Sequence, residues 1–209
     1  GLVIPELLKR LGVKTVIGLY TEADGNFPHN PEPLPGNLGE LSAAVVKNKA
    51  DVGFVVDPDV DRLAIVSEDG SCFNEEYTIV ACSDYVLSKK KGNTVSNMSS
   101  SRALRDITEK HGGKWYASAV GEINTVIRMK EVDAVIGGEG NGGVIYPALH
   151  YGRDALVGIA LFLSLLAESG KKCSQLRKSY PEYTISKNRL ELSPGVDPDD
   201  ILEKIGREY

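Results

Sequence analysis

Cysteine is scarce in this 209-residue chain: Cys72, Cys82 and Cys173 are the full set, and none falls in a CxxC or other metal-ligand spacing. An odd, sparse set of this kind argues for reduced thiols and a cytoplasmic setting rather than for a disulfide framework. Long hydrophobic runs are missing too. No stretch reaches the roughly 18 apolar residues that a membrane-spanning helix needs, and the opening GLVIPELLKR is not built like a signal peptide. Excess positive charge is absent as well. With 24 Lys and Arg against 29 Asp and Glu, the net charge of -5 gives no footprint for nucleic acid or an acidic membrane surface.

What is present suits packed α/β domains. The hydrophobic fraction of 42% is enough for a core, and the length fits one large domain or two of ordinary size. Apolar spacing predicts a helix over 2–11 stopped by Gly12, then a strand in VKTVIGLY. Residues 21–36 hold four prolines and read as a loop. A helix over about 37–48 leads to two strands, VGFVV and LAIVS, and the turn EDG. Helices over 75–90, 101–111 and 121–130 then alternate with strands in NTVSNM, KWYASA and DAVIGG, and a long helix covers 153–169. Alternation with short connections predicts two consecutive α/β/α units with mixed, largely parallel sheets, joined near 69–76. Both ends read as cut from a longer chain. The first residues enter a helical pattern without a leading strand, and DPDDILEKIGREY stops soon after a capped helix begins.

Between the strands VGFVV and LAIVS lies DPDVDR, with Asp57, Asp59 and Asp61 at alternate positions and Arg62 directly after. Carboxylates this close repel one another away from water, and a divalent cation relieves that repulsion. An oxygen-only set suits magnesium or calcium. Asp57, Asp59, Asp61 and Glu68 fall at EF-hand positions, but the required central glycine is Arg62 and the flanks look like strands rather than helices. A solvated acidic turn without metal is the third reading. Arg62 offers a planar fork suited to a phosphate, or pairs with a neighbouring aspartate.

A second constellation, IGGEGNGGVIYP over 136–147, presents Glu139 and Asn141 from a glycine-rich loop. Such a loop lets backbone approach a ligand, and these two side chains can hydrogen-bond vicinal hydroxyls. The letters also fit GxGxxG, but VIYPALH does not open the helix that a dinucleotide site requires. SNMSSSR, 96–102, meets a helix start and reads as a phosphate-binding junction or, more simply, a serine N-cap.

DPDVDR followed about 80 residues later by GGEGNGG resembles the α-D-phosphohexomutase superfamily of phosphoglucomutases, phosphomannomutases and phosphoglucosamine mutases. DGNFPHNPEP, AVGEIN and GRDALVGIAL extend the likeness along the chain. The resemblance implies most of a second domain over 1–71, a third over 72–186 and the opening of a fourth over 187–209. It also implies that the first domain, with its phosphoserine, and the phosphate-gripping loop of the fourth lie elsewhere. On this likeness Asp57, Asp59 and Asp61 hold Mg2+, and Arg62 acts on the same phosphoryl oxygens. Glu139 and Asn141 read the sugar hydroxyls.

The loop departs from the usual Glu-x-Ser-Gly-His pattern, with Asn141 for serine and Gly143 for histidine. Glu122 and Asn124 stand where many members carry basic or imidazole groups, so they are expected to line the sugar site; Glu122 also suits a helix N-terminus. His150 and Arg153 are candidate replacements for the missing positive group, while Asp154 is placed to start the long helix. The implied activity moves phosphate between C1 and C6 of a hexose phosphate of the glucosamine, glucose or mannose type. A non-catalytic phosphosugar- and metal-binding module is the alternative.

Overall fold

The computed structural model describes residues 2–22, 24–186, 191–193 and 195–208. Helix α1 spans Val3–Arg10 and α2 Gly39–Asn48; strands β1, Val52–Val56, and β2, Leu63–Ser67, form an antiparallel hairpin. Helices α3, Thr78–Lys89, α4, Ala103–Lys110, and α5, Glu122–Glu131, alternate with strands β3, Asn93–Asn97, β4, Trp115–Ser118, and β5, Ala134–Gly138. A short β6, Val144–Ile145, precedes α6, Ala155–Ser169, α7, Cys173–Lys178, and α8, Pro198–Glu208. The second sheet runs in the order β4-β3-β5-β6, parallel between β4, β3 and β5 and antiparallel between β5 and β6. The second sheet is thus mixed and largely parallel, as the alternation predicts, whereas the first is the antiparallel β1–β2 pair alone.

Every residue of β2 is buried, which accounts for its unbroken apolar run. Its two faces enter different cores. Leu63 and Ile65 join Phe73, Tyr77, Ile79, Val144, Ile159 and Phe162 in the main cluster. Ala64 and Val66 pack with Leu38 and Val45 below α2. Phe162 anchors the seam, with Phe54 and Phe73 each meeting its ring edge-on at centroid distances of 6.1 and 5.0 Å. Asp154 starts α6 as expected: its Oδ1 accepts the backbone N–H groups of Leu156 and Val157 at 2.7 and 3.0 Å.

Some expectations fail. VKTVIGLY, 13–20, forms no strand. A strand needs a neighbour to complete its hydrogen bonds, none of the described strands lies beside it, and Ile17, Leu19 and Tyr20 are exposed. The serine cap of α4 is weak, since Ser101 Oγ stands 3.4 Å from the Ala103 N–H and the cap position itself is Arg102. Helix α7 is too short to leave a periodic signal in the sequence. Within the predicted opening of a further unit, residues 187–190, 194 and 209 lie outside the described residues, and α8 occupies most of the remainder. Among the described residues no helix is long and apolar enough to cross a membrane.

Candidate metal centre and adjoining cavity

The aspartates occupy the tight connection of the β1–β2 hairpin, so the EF-hand reading fails on its flanks: both are strands. Val60 holds a positive φ of 62°, unusual for a β-branched residue and the kind of strain that clusters at functional turns. Its carbonyl accepts the Ala155 N–H at 3.1 Å, pinning the turn to the start of α6.

Asp57 is the foundation of the loop. It is 2% exposed. Oδ1 accepts the Asp61 and Arg62 N–H groups, both at 3.0 Å, and Oδ2 accepts Arg62 Nε at 2.6 Å. Burial pushes its pKa up, but the N–H and guanidinium of Arg62 outweigh burial and hold it below the ordinary carboxylate value. Arg62 also donates Nη1 to Glu32 Oε2 at 3.0 Å, fastening the proline-rich loop beside the aspartates. Arg62 is therefore paired with neighbouring carboxylates, as its simpler reading holds.

One carboxylate oxygen from each of Asp57, Asp59 and Asp61 falls within 4.8 Å of the others. Asp61 Oδ1 is buried without a hydrogen-bond partner. Burial first, then the neighbouring carboxylates of Asp57 and Asp59, push the Asp61 pKa up to about 6 against the pull of Arg153. A converging set of hard oxygens, one of them buried without a hydrogen bond and with Arg62 Nε no nearer than 3.6 Å, fits a divalent cation such as Mg2+ or Ca2+.

The glycine-rich loop docks directly against this hairpin. The Leu63 N–H donates to the Gly142 carbonyl at 3.0 Å, and Arg62 bridges Gly143 in antiparallel fashion. No helix follows the loop; β6 does, which removes the dinucleotide reading. Glu139, 3% exposed, is held by Asn97 Nδ2 at 2.7 Å, the Gly121 N–H at 3.3 Å and Asn141 Nδ2 at 3.3 Å. Asn141 Oδ1 in turn accepts the Gly143 N–H at 3.1 Å. Arg153 joins the two constellations: Nη1 donates to Glu139 Oε2 at 2.5 Å and Nη2 to Asp61 Oδ2.

Next to them opens a cavity of about 350 Å³, lined by Asn97, Ser99, Glu122, Glu139, Asn141 and Arg153 among others. It sits at the C-terminal ends of β3 and β5, where open α/β sheets bind ligands. Glu122 lies in the first turn of α5 and accepts the Arg153 N–H at 2.7 Å. Asn124 and His150 are not in the lining. Asn124 Nδ2 donates to the Val120 carbonyl at 2.8 Å, and His150 Nε2 meets Asp154 Oδ2 at 2.9 Å at the entry of α6. Two residues that pack against the site carry no signal in the sequence: Glu32, which binds Arg62, and Glu76, which lies against Gly140. Glu76 is buried and accepts the Ser101 N–H at 2.8 Å. Asn97 and Ser99 belong to the 96–102 junction read from sequence as a ligand-binding candidate, and both line the cavity.

These features define a pair of α/β units that bring a cluster of hard oxygen ligands against a polar, carboxylate-bearing cavity. Two family models match: "Phosphoglucomutase/phosphomannomutase, alpha/beta/alpha domain II" over residues 1–70 and the corresponding domain III over 74–183. The chain belongs to the phosphoglucomutase/phosphomannomutase family. A phosphoglucomutase/phosphomannomutase of Thermococcus kodakarensis is 36% identical over 185 residues, 88% of this chain and 40% of that protein. A probable phosphoglucosamine mutase of Methanopyrus kandleri is 31% identical over 94% of this chain and 44% of its own length. The crystal structure of a phosphoglucomutase/phosphomannomutase family protein from Burkholderia thailandensis superposes with a TM-score of 0.73 at 30% identity, over 80% of this chain and 37% of that one. The chain thus spans about two fifths of the length of these relatives.

Proposed function

We propose that this chain is the metal- and sugar-binding part of a Mg2+-dependent phosphohexomutase, acting in the cytoplasm on a hexose phosphate of the glucosamine, glucose or mannose class. In this reading residues 1–71 and 72–186 correspond to the second and third domains of the whole enzyme, and 187–209 open the fourth. A phosphoserine and a second phosphate grip come from the other domains. The observation that carries the reading is the junction at Arg153, which sets the aspartate cluster and the buried Glu139 side by side at one cavity mouth.

Asp57, Asp59 and Asp61 hold the ion. Bound there, Mg2+ supplies electrostatic stabilisation for the charge of a phosphoryl group passing through a loose transition state. Arg62, fixed by Asp57 and Glu32, keeps the aspartate loop rigid and adds positive charge beside it. Glu139 accepts hydrogen bonds from sugar hydroxyls in a fixed orientation, since Asn97 and the Gly121 N–H lock its carboxylate. Asn141, Glu122 and Arg153 complete the lining, whereas Asn124 and His150 serve the ends of α5 and α6. The isolated chain has no mutase turnover in this account, because the phosphoryl donor is on another domain.

The test is Asp59→Ala in a protein that joins this chain to a phosphoserine domain. Mg2+-dependent interconversion of glucose 1-phosphate and glucose 6-phosphate is expected to disappear. A variant that retains turnover removes the metal role from this loop.

A further inference from the structure

Arg153 faces acidic groups from three directions. Its guanidinium donates to Asp61 on the hairpin turn and to Glu139 at the end of β5, and its Nε lies 3.8 Å from Glu122 Oε2 on α5. That Nε is buried and makes no hydrogen bond. The aliphatic stem of Arg153 lies across Gly143: a Cβ there would stand 2.5 Å from Arg153 Cδ and 3.2 Å from Cγ. Any side chain at 143 would displace the arginine. The absence of a side chain at 143 is therefore what lets the Arg153 stem lie across the loop.

Asp61 has two claimants. It belongs to the three-carboxylate cluster, and its Oδ2 is held by Arg153. A dication at the cluster would place its charge within a few ångströms of the guanidinium. The two cations then repel, and Asp61 no longer needs Arg153 as counter-ion. Arg153 lines the cavity, and with Nη1 still on Glu139 the released Nη2 and the unbonded Nε offer two donors that suit an anionic phosphate group.

Resting on the reading given under Proposed function, we propose that Arg153 couples the cation site to the sugar-phosphate site. It neutralises Asp61 and Glu139 until a dication takes over Asp61, and it then turns to the phosphate of the sugar in the cavity. Linkage makes the coupling mutual: the ion tightens the sugar phosphate and the sugar phosphate tightens the ion by the same factor.

Calorimetric titration of the chain with Mn2+, alone and in saturating glucose 6-phosphate, tests this. The wild-type chain is expected to bind Mn2+ about fivefold or more tightly with the sugar phosphate present. Arg153→Gln is expected to tighten Mn2+ binding in the absence of sugar phosphate, because a competing cation is gone, and to abolish the coupling. Gly143→Ala gives a second arm. Gly143 is not among the positive-φ residues, so alanine fits the backbone, and its Cβ displaces the arginine stem. Its effect should follow Arg153→Gln in sign. Mn2+ and glucose 6-phosphate binding that are independent in the wild type overturn the coupling while leaving the metal centre standing. So does Mn2+ affinity unchanged in both variants, or a wild type that binds Mn2+ but no glucose 6-phosphate. A wild type that binds no Mn2+ overturns the metal centre and the coupling together.

Discussion

Asp57 and Asp59 are two residues apart and are held in opposite ways. Asp57 is buried and accepts two backbone N–H groups and a guanidinium, whereas Asp59 is exposed on the turn. Removing the first charge leaves Arg62 partly unpaired and two loop N–H groups weakly satisfied; removing the second disturbs little. Asp57→Asn is expected to lower the unfolding free energy by about 3 kcal/mol. Asp59→Ala should stay within about 0.5 kcal/mol of wild type. Urea unfolding of the two variants measures both, and equal losses would mean that Asp59 is also part of the scaffold. At this scale the sequence displays the ligand types but hides their partners. Three aspartates at alternate positions are visible as letters. That Arg62 is committed to Glu32, thirty positions away, depends on how the proline-rich loop folds back.

Between elements, the decisive contact is the glycine loop against the hairpin. Gly142 has a φ of +93°, and a Cβ there would lie 2.4 Å from the Leu63 carbonyl oxygen, a backbone atom that cannot step aside. Gly142→Ala therefore combines left-handed strain with a clash across the seam. It is expected to destabilise by more than about 2 kcal/mol and to loosen Glu139 and Asp61 together. A thermal melt indistinguishable from wild type would contradict that docking. Helix α7 supplies a separate test. Glu68 Oε1 and Oε2 accept the Ser174 hydroxyl and N–H, at 2.5 and 3.0 Å. Burial raises the Glu68 pKa, but the two Ser174 donors prevail and leave it below its ordinary value of 4.5. A lowered carboxylate contributes stability that is present above the unfolded-state pKa and is lost as pH falls through the folded one. The stability difference between wild type and Glu68→Gln should accordingly be constant at neutral pH and shrink below about pH 4.5. A difference that grows on acidification would reverse the assigned sign.

Several elements that periodicity identifies satisfy their backbone locally or with a neighbour close in sequence, while β3, β4 and β5 find one another across intervening helices. β1 pairs with β2, and α6 begins at its own Asp154 cap. VKTVIGLY has the letters of a strand, but a strand exists only with a partner, and β-propensity cannot supply one. Helix α7 is only six residues long, too short for a periodic signal, and is held instead by the reach of Glu68 across 106 positions.

Across the whole molecule, the two α/β units are joined by a hairpin that belongs to both cores. Leu63 and Ile65 face Phe162 and Ile159, while Ala64 and Val66 face α2. This double burial is why the aspartate turn is stiff: the strands on either side cannot shift without opening one core or the other. It also carries the turn to the mouth of a cavity built by the second unit. The two motifs were legible in the sequence, and so was the family resemblance. Their meeting through Arg153 was not, because contact between residues 61 and 153 is a product of the packed hairpin rather than of any local pattern. In the function proposed above, Asp57, Asp59 and Asp61 together grip a hard dication. Electron paramagnetic resonance of Mn2+ added to the chain tests it most directly. One bound Mn2+ per chain is expected, displaced by excess Mg2+ and lost in Asp59→Ala; a free-ion spectrum from the wild-type chain, or binding untouched by that substitution, would rule the metal centre out.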